Sequence, residues 1–306
     1  MEFEAFLQVP DRFDVSGHTR WQLVRSCASG LVMLNPRPGS SDMAVHYPAG
    51  SYEPFFNRSS TTSLRKTILL AARLLLLRYR ASLILADNVK PRCQHSVLEI
   101  GCAGGELLNF LHCTTGIPLD NLAGVEPDTA AAAHGRKVFR LTVTAALHNE
   151  YKGLFDRIVV WHSLEHIHAL HETLHRLEQL LDPDGVLVIA LPNPECHEAK
   201  QYRENWIAWD APRHLYHFVP GTLEKLLEQH NLHVVKRLPY MPDTVYNALF
   251  SEKLRCKRSG KAFGLFSAST ALCRAILALP GEIIWPETGS SVIYFARKQQ
   301  STTPCR

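Results

Sequence analysis

The sequence predicts an α/β protein built on a mostly parallel β-sheet with helices on both faces. Three observations carry that expectation. Apolar segments of strand length, at residues 97–100, 122–126, 155–161 and 186–191, alternate with segments whose apolar residues recur at helical spacing. Several strand segments are apolar without interruption, as strands covered on both faces are. The stretch Ser96 to Glu106, SVLEIGCAGGE, runs from a strand through a glycine-rich turn into a helix. Such a turn lets a ligand approach the backbone, and the exposed N–H groups at the helix start favour polar or anionic ligand groups.

The elements follow in order. Residues 1–60 form a small leading module: scattered aromatics and the loop Asn35-Pro36-Arg37-Pro38-Gly39 indicate short strands and turns. Residues 61–86 read as a long helix with N-caps offered by Ser60, Thr61, Thr62 and Ser63, and with its arginines on the solvent face. Val97, Leu98 and Ile100 make a buried strand, and Leu107, Leu108 and Leu111 share one face of the next helix. A strand at 122–126 and an alanine-rich helix at 128–138 complete a β-α-β-α unit. The strand at 155–161 leads to a helix whose core stripe is Ile167, Leu170, Leu174, Leu177 and Leu181. Asp182-Pro183-Asp184-Gly185 turns the chain into the strand at 186–191. A helix at 222–230 and a strand at 233–238 close a core spanning 61–240. Residues 241–306 then add a basic and apolar helical insertion and a late strand pair at 282–284 and 291–297 that completes the sheet.

Bulk properties exclude several classes. The 306 residues suffice for a full core, and 46% hydrophobic with 20% charged residues is a globular composition. A net charge of +4 without an RNA- or DNA-reading motif predicts no nucleic-acid partner. The eight cysteines contain no C-x-x-C pair and read as reduced thiols. The acidic amino terminus lacks a secretory h-region, so a cytoplasmic location is expected. Leucine-rich stretches at 67–86 and 262–279 are interrupted by arginines, which argues against membrane spans. Five bases at 253–261 precede the second of them; residues 253–279 therefore suit either peripheral membrane contact or a helix packed over a substrate pocket. No pattern speaks to an oligomeric state.

The glycine spacing separates two ligand classes. A dinucleotide fingerprint, G-x-G-x-x-G, would place glycines where this chain has Gly101, Ala103 and Glu106, and the third position fails. The stretch instead resembles motif I of the class I S-adenosylmethionine-dependent methyltransferases, read as Glu99-Ile100-Gly101-Cys102-Ala103-Gly104-Gly105 with alanine at the middle glycine. Glu126, in Gly124-Val125-Glu126-Pro127-Asp128, lies about 20 residues beyond the turn, where a carboxylate accepts ribose hydroxyls. Residues 155–166, FDRIVVWHSLEH, resemble the ubiquinone-biosynthesis O-methyltransferase-like branch, as do Leu191-Pro192-Asn193 and the run Trp209 to Phe218, WDAPRHLYHF. The resemblance covers residues 95–240 and reaches faintly back to residue 20. It implies a Rossmann-like seven-stranded sheet and S-adenosyl-L-methionine as cofactor. The cofactor contacts it implies are Glu99, Gly101, Cys102, Ala103, Gly105, Glu126, Pro127, Trp161 and His162, with Glu99 near the methionine amino end.

Two departures from the family pattern matter. Relatives begin with a zinc-ribbon-like module whose knuckle reads V-R-C-x-x-C-G-L-V; Val24-Arg25-Ser26-Cys27-Ala28-Ser29-Gly30-Leu31-Val32 has serine at both ligand positions, so no structural metal is expected. The acid that relatives place beside adenine is also missing. Residues 141–147 offer only Thr142 and Thr144, so the adenine contact is unassigned: either backbone around Thr144 and Ala145 supplies it, or affinity is lower than in relatives.

Methyl transfer is an in-line displacement that needs alignment and, for an oxygen nucleophile, a base. Glu165 and His166 are the expected substrate-side residues, joined by His162 and His214; capping of a helix start is the alternative for Glu165 and His166. By ligand type a His162, Glu165, His166 metal site is conceivable, but no metal is assigned. His168, His171 and His175 read as one solvated helix face, and loop packing competes with a substrate role for His214 and Arg213. The expected function is methyl transfer to an oxygen or carbon of a small molecule, lipid quinone or sugar-like intermediate. An NAD(P)-dependent oxidoreductase or epimerase, or a non-catalytic cofactor-binding scaffold, are the alternatives.

Overall fold

The structure is a computed structural model that describes residues 2–14, 19–47, 64–86, 90–147, 151 and 153–299. Eleven strands and eight α-helices are assigned among them: β1 (Phe3–Pro10), β2 (Arg20–Ser26), β3 (Val32–Leu34), α1 (Leu64–Ile84), β4 (Val97–Ile100), α2 (Glu106–Thr115), β5 (Leu122–Val125), α3 (Thr129–Val138), β6 (Thr142–Thr144), β7 (Phe155–Trp161), α4 (Leu170–Leu180), β8 (Leu181–Pro192), α5 (His197–Tyr202), β9 (Tyr216–His217), α6 (Pro220–Glu228), β10 (Leu232–Pro239), α7 (Met241–Arg258), α8 (Leu265–Ile284) and β11 (Ser291–Lys298). Seven strands form one sheet in the order β10-β11-β8-β7-β4-β5-β6. β4 runs parallel to β5 and β7, and β5 parallel to β6, while β10 and β11 are antiparallel. The sheet is thus mostly parallel, as the uninterrupted apolar strands predict. Residues 52–161 with 173–188 form one compact unit, and residues 1–51, 162–172 and 189–306 form the other.

In the first unit, β4 and β5 are buried at every position. α2 opens behind Gly105, held at φ 78°, and buries Leu107, Leu108 and Leu111. α3 is capped by Asp128, whose carboxylate accepts from the N–H of Ala131 at 2.7 Å. Two glycines permit close packing here: a Cβ on Gly124 would lie 2.4 Å from Cys102 Sγ, and one on Gly135 3.3 Å from the carbonyl oxygen of Gly104.

α1 departs in part from the expected arrangement of its faces. Arg73 pairs with Glu106 at 2.5 Å and the Arg80 guanidinium lies 4.7 Å over the Trp161 ring, whereas Ile68, Leu70, Leu74 and Leu75 are exposed. A carboxylate and an indole face attract these two guanidinium groups, while Arg78 stays on the solvent face as expected. The proposed N-caps Ser60 to Ser63 lie outside the described residues.

In the second unit, β1, β2, β3 and β9 make a four-stranded antiparallel sheet, so the amino-terminal strands pair with the 209–218 run. The Ser26–Gly30 turn is closed by its own groups: the Gly30 N–H donates to the Ser26 carbonyl at 2.8 Å, and the Ser29 N–H to Ser26 Oγ at 3.3 Å. Arg213 is buried and donates to Asp210, Asp11 and the carbonyl of His46, each at 2.8 Å, which makes it a packing hub.

Three local expectations are corrected. Residues 282–284 continue α8 and form no strand: Glu282 is buried and accepts from Thr244 Oγ1 of α7, which holds the last turn of α8 in place. α4 retains Leu170, Leu174 and Leu177 as its buried stripe, but Ile167 and His168 precede it and Leu181 starts β8. Asp182 still accepts from the Asp184 N–H at 2.9 Å, so the expected turn chemistry is present within a continuous strand.

Candidate active site

The turn after β4 has the backbone a cofactor cradle requires. Gly101, Ala103 and Gly105 have φ of 72°, 49° and 78°, so alternate residues are left-handed. Ala103 pays for its Cβ there, because this region disfavours L-residues. Glu126 fastens the turn: one carboxylate oxygen accepts from the Ala103 N–H and the other from the Asp128 N–H, both at 2.8 Å. Pro127 beside it is exposed.

Glu99 is buried, and its Oε2 has no hydrogen-bond partner. Burial raises its pKa to about 8, opposed by Arg80 and assisted by Glu106 and Glu126. An orphaned acceptor of this kind fits a cationic or N–H-bearing ligand group, such as the amino end of S-adenosylmethionine. Cys102 points inward: its thiol is buried against Gly124, its N–H donates to the Val125 carbonyl at 3.1 Å, and its carbonyl accepts from Gly105 at 2.8 Å. Trp161, at the end of β7, is buried beneath Arg80.

At the end of β6, Thr144 Oγ1 lies 2.8 Å from both the Ala146 carbonyl and Tyr151 OH, and Tyr151 OH donates to the Gly124 carbonyl at 3.4 Å. The Thr144 carbonyl accepts from the Glu126 N–H at 2.8 Å. The threonine chosen as a backbone substitute for the missing acid is therefore engaged internally. Tyr151 joins it, although no pattern in the sequence singles that tyrosine out.

The second unit begins with His162, whose φ is 48°, a strained value for a non-glycine residue and one typical of functional sites. Its Nε2 lies 2.8 Å from Asp243 Oδ2 and its Nδ1 3.6 Å from Glu165 Oε1. Burial alone would lower the pKa of this imidazole; Asp243 and Glu165 outweigh burial and raise it to about 9. His162 is therefore an imidazolium at neutral pH and offers no lone pair.

Glu165, His166 and His214 come together instead. One ligand atom from each lies within 4.8 Å of the others. Glu165 is 1% exposed and, among the described residues, neither of its carboxylate oxygens has a hydrogen-bond partner. His166 Nδ1 donates to the Arg213 carbonyl at 2.9 Å and His214 Nδ1 to the Ala208 carbonyl at 2.8 Å. A carbonyl can only accept, so Nδ1 carries a hydrogen in both rings and any ring lone pair lies on Nε2. Burial, reinforced by the imidazoles of His166 and His217, holds His214 well below the usual histidine range and thus neutral. Two imidazoles oriented through Nδ1 and a buried carboxylate fit a divalent cation, and equally fit a proton-accepting cluster. His168, by contrast, bonds the Pro38 carbonyl at 3.0 Å and His171 bonds His230 at 3.0 Å.

The methyltransferase-domain family profile matches residues 65–237. Among solved structures, the geranyl diphosphate C-methyltransferase of Streptomyces coelicolor A3(2), in complex with Mg2+, geranyl diphosphate and S-adenosyl-L-homocysteine, is 15% identical, with a TM-score of 0.50 over 79% of this chain and 88% of that one. The 4+2 cyclase SpnF is 13% identical, with a TM-score of 0.50 over 80% of this chain and 85% of its own. At these identities the likeness is one of fold. No curated protein matches the sequence.

Proposed function

The chain belongs to the methyltransferase-domain family, whose methyl donor is S-adenosyl-L-methionine, and from that premise we propose that it methylates an oxygen or carbon of a small molecule, lipid quinone or sugar-like intermediate. One observation carries the choice over a dinucleotide-dependent reaction. Glu106, at the start of α2 where a pyrophosphate would bind, is a carboxylate paired with Arg73 at 2.5 Å. A charged side chain therefore stands where the dinucleotide fingerprint needs its third glycine at the helix start that a pyrophosphate approaches.

Bound S-adenosyl-L-methionine would supply an electrophilic methyl carbon. Glu99 would hold its cationic amino end and Glu126 its ribose hydroxyls, and the left-handed turn Gly101 to Gly105 would let the backbone approach. For an oxygen acceptor, the free Nε2 of His166 or His214 removes the hydroxyl proton, Glu165 stabilises the resulting imidazolium, and His162 holds positive charge beside Glu165. A divalent cation held by Glu165, His166 and His214 would acidify the same hydroxyl.

A methyl-acceptor screen with labelled donor tests this, label being followed into small-molecule, lipid and protein fractions. Label is expected in a small-molecule or lipid fraction. Its appearance in protein alone would overturn the acceptor class.

A further inference from the structure

We propose that the α7–α8 hairpin docks on the surface of an anionic phospholipid bilayer, with α8 lying along the membrane plane. α8 is 20 residues long, and by length and composition it is the one helix among the described residues able to cross a membrane, yet only 17% of its apolar window is buried. Its inward side packs Ala271 and Ala275 on Ala248 of α7, with Val245 and Leu249 alongside. Its outward side carries Leu265, Phe266, Leu272, Ile276, Leu277 and Ile283, all exposed, with Leu265 at 91% and Phe266 at 85%. At about 100° per residue these positions fall within an arc of roughly 140°, so they share one side of a helix about 30 Å long. A stripe of this size and composition is an interaction surface.

Charge identifies what covers it. Within residues 241–284, all of them described, every exposed charged side chain is a base: Lys253, Arg255, Lys257 and Lys261. The acids of the hairpin are turned away. Glu252 is buried and bonds Arg255 at 2.5 Å, Glu282 is buried against Thr244, and Asp243 pairs with His162. The bases sit in the last turns of α7 and the following loop, immediately before Phe263, Leu265 and Phe266, which gives the hairpin tip cations next to insertable apolar groups. At the other end of α8 stands Trp285, 56% exposed, a residue type that favours the headgroup level. A second copy of this chain would bring the same bases against each other, whereas anionic headgroups complement them. A spanning orientation would take Arg274 and Glu282 of α8 into hydrocarbon, so the helix lies on the membrane and does not cross it.

The inference stands apart from the methyl-transfer reading and is tested separately. The full chain is floated with vesicles of phosphatidylcholine alone and of an equimolar mixture of phosphatidylcholine and phosphatidylglycerol. Binding is expected to the mixed vesicles and to weaken with salt. The double variant Phe266→Glu, Leu277→Glu should bind at least about tenfold more weakly, since it replaces two exposed apolar groups that would insert into the bilayer with carboxylates. The triple variant Lys253→Glu, Lys257→Glu, Lys261→Glu should lose roughly a hundredfold at low salt, since each base contributes about fivefold near such a surface. All substituted positions are exposed, and an unchanged circular dichroism melt identifies correctly folded variants. Failure of the folded full chain to bind mixed vesicles overturns the proposal. So does a wild-type dimer in light scattering that Leu277→Glu dissociates while vesicle binding is absent, since the stripe would then be covered by a second copy.

Discussion

Replacing Asp243 by asparagine removes one charge from His162 and leaves an oxygen able to accept its hydrogen bond. The His162 pKa stands near 9 against an ordinary 6.5. At about 1.36 kcal/mol per unit, that difference amounts to roughly 3 kcal/mol of preference for the imidazolium in the folded chain. Asp243 shares it with Glu165, and the ring is 28% exposed, so Asp243→Asn should cost about 1–2 kcal/mol. The sign follows from the direction of the shift. A raised histidine pKa stabilises fully below about 6.5, and the contribution fades as pH rises through about 9. The variant should therefore differ most from wild type in mildly acidic solution and converge with it in alkaline solution. Denaturant unfolding across that range measures the difference, and NMR titration of the His162 ring measures the pKa itself. A stability loss equal at acidic and alkaline pH, or a wild-type His162 that titrates near 6.5, would refute the ion-pair argument.

Three further predictions concern the two halves of the machinery. Glu99, protonated below about pH 8 in the free chain, should ionise when it meets the cofactor's amino group; affinity for S-adenosylhomocysteine should then rise from about pH 6 to about pH 7.5, and Glu99→Gln should flatten that dependence. A pH-independent wild-type affinity would remove Glu99 from that role. Ala103→Gly should stabilise the chain by about 0.5–1 kcal/mol, because relief of a left-handed alanine outweighs the entropy of an added glycine, and a lower denaturant midpoint would contradict this. Glu126→Ala should weaken cofactor binding about tenfold or more through loss of both the ribose acceptor and the brace on the turn, whereas Glu165→Ala should spare that affinity and lower turnover. Equal binding losses in calorimetry would show that the division between cofactor and acceptor residues is wrong.

What the sequence shows of this fold is what is local. The β4 strand, its glycine turn and the start of α2 occupy ten consecutive residues, and Glu126 follows just after the next strand, so spacing alone locates them. Contacts across long separations leave no such trace. His162 meets Asp243 and Glu165 meets His214 through tertiary packing that no period in the sequence records. The inward arginines of α1 defeat a hydrophobicity reading because their partners, Glu106 and Trp161, lie in other elements. The closeness of Gly124 to Cys102 is likewise set by strand register: both residues look unexceptional until β5 lies beside β4. Residues 282–284 have β-branched character but belong to a helix already running, and the buried bond from Thr244 to Glu282 fixes it there.

The central claim is that the turn from Glu99 to Gly105, with Glu126, binds a sulfonium cofactor and not a dinucleotide. Isothermal titration calorimetry of the purified chain with S-adenosylhomocysteine and, separately, with NAD tests it most directly. The account predicts micromolar binding of S-adenosylhomocysteine and none of NAD, with Glu126→Ala weakening the former. Binding of NAD in place of S-adenosylhomocysteine would contradict it.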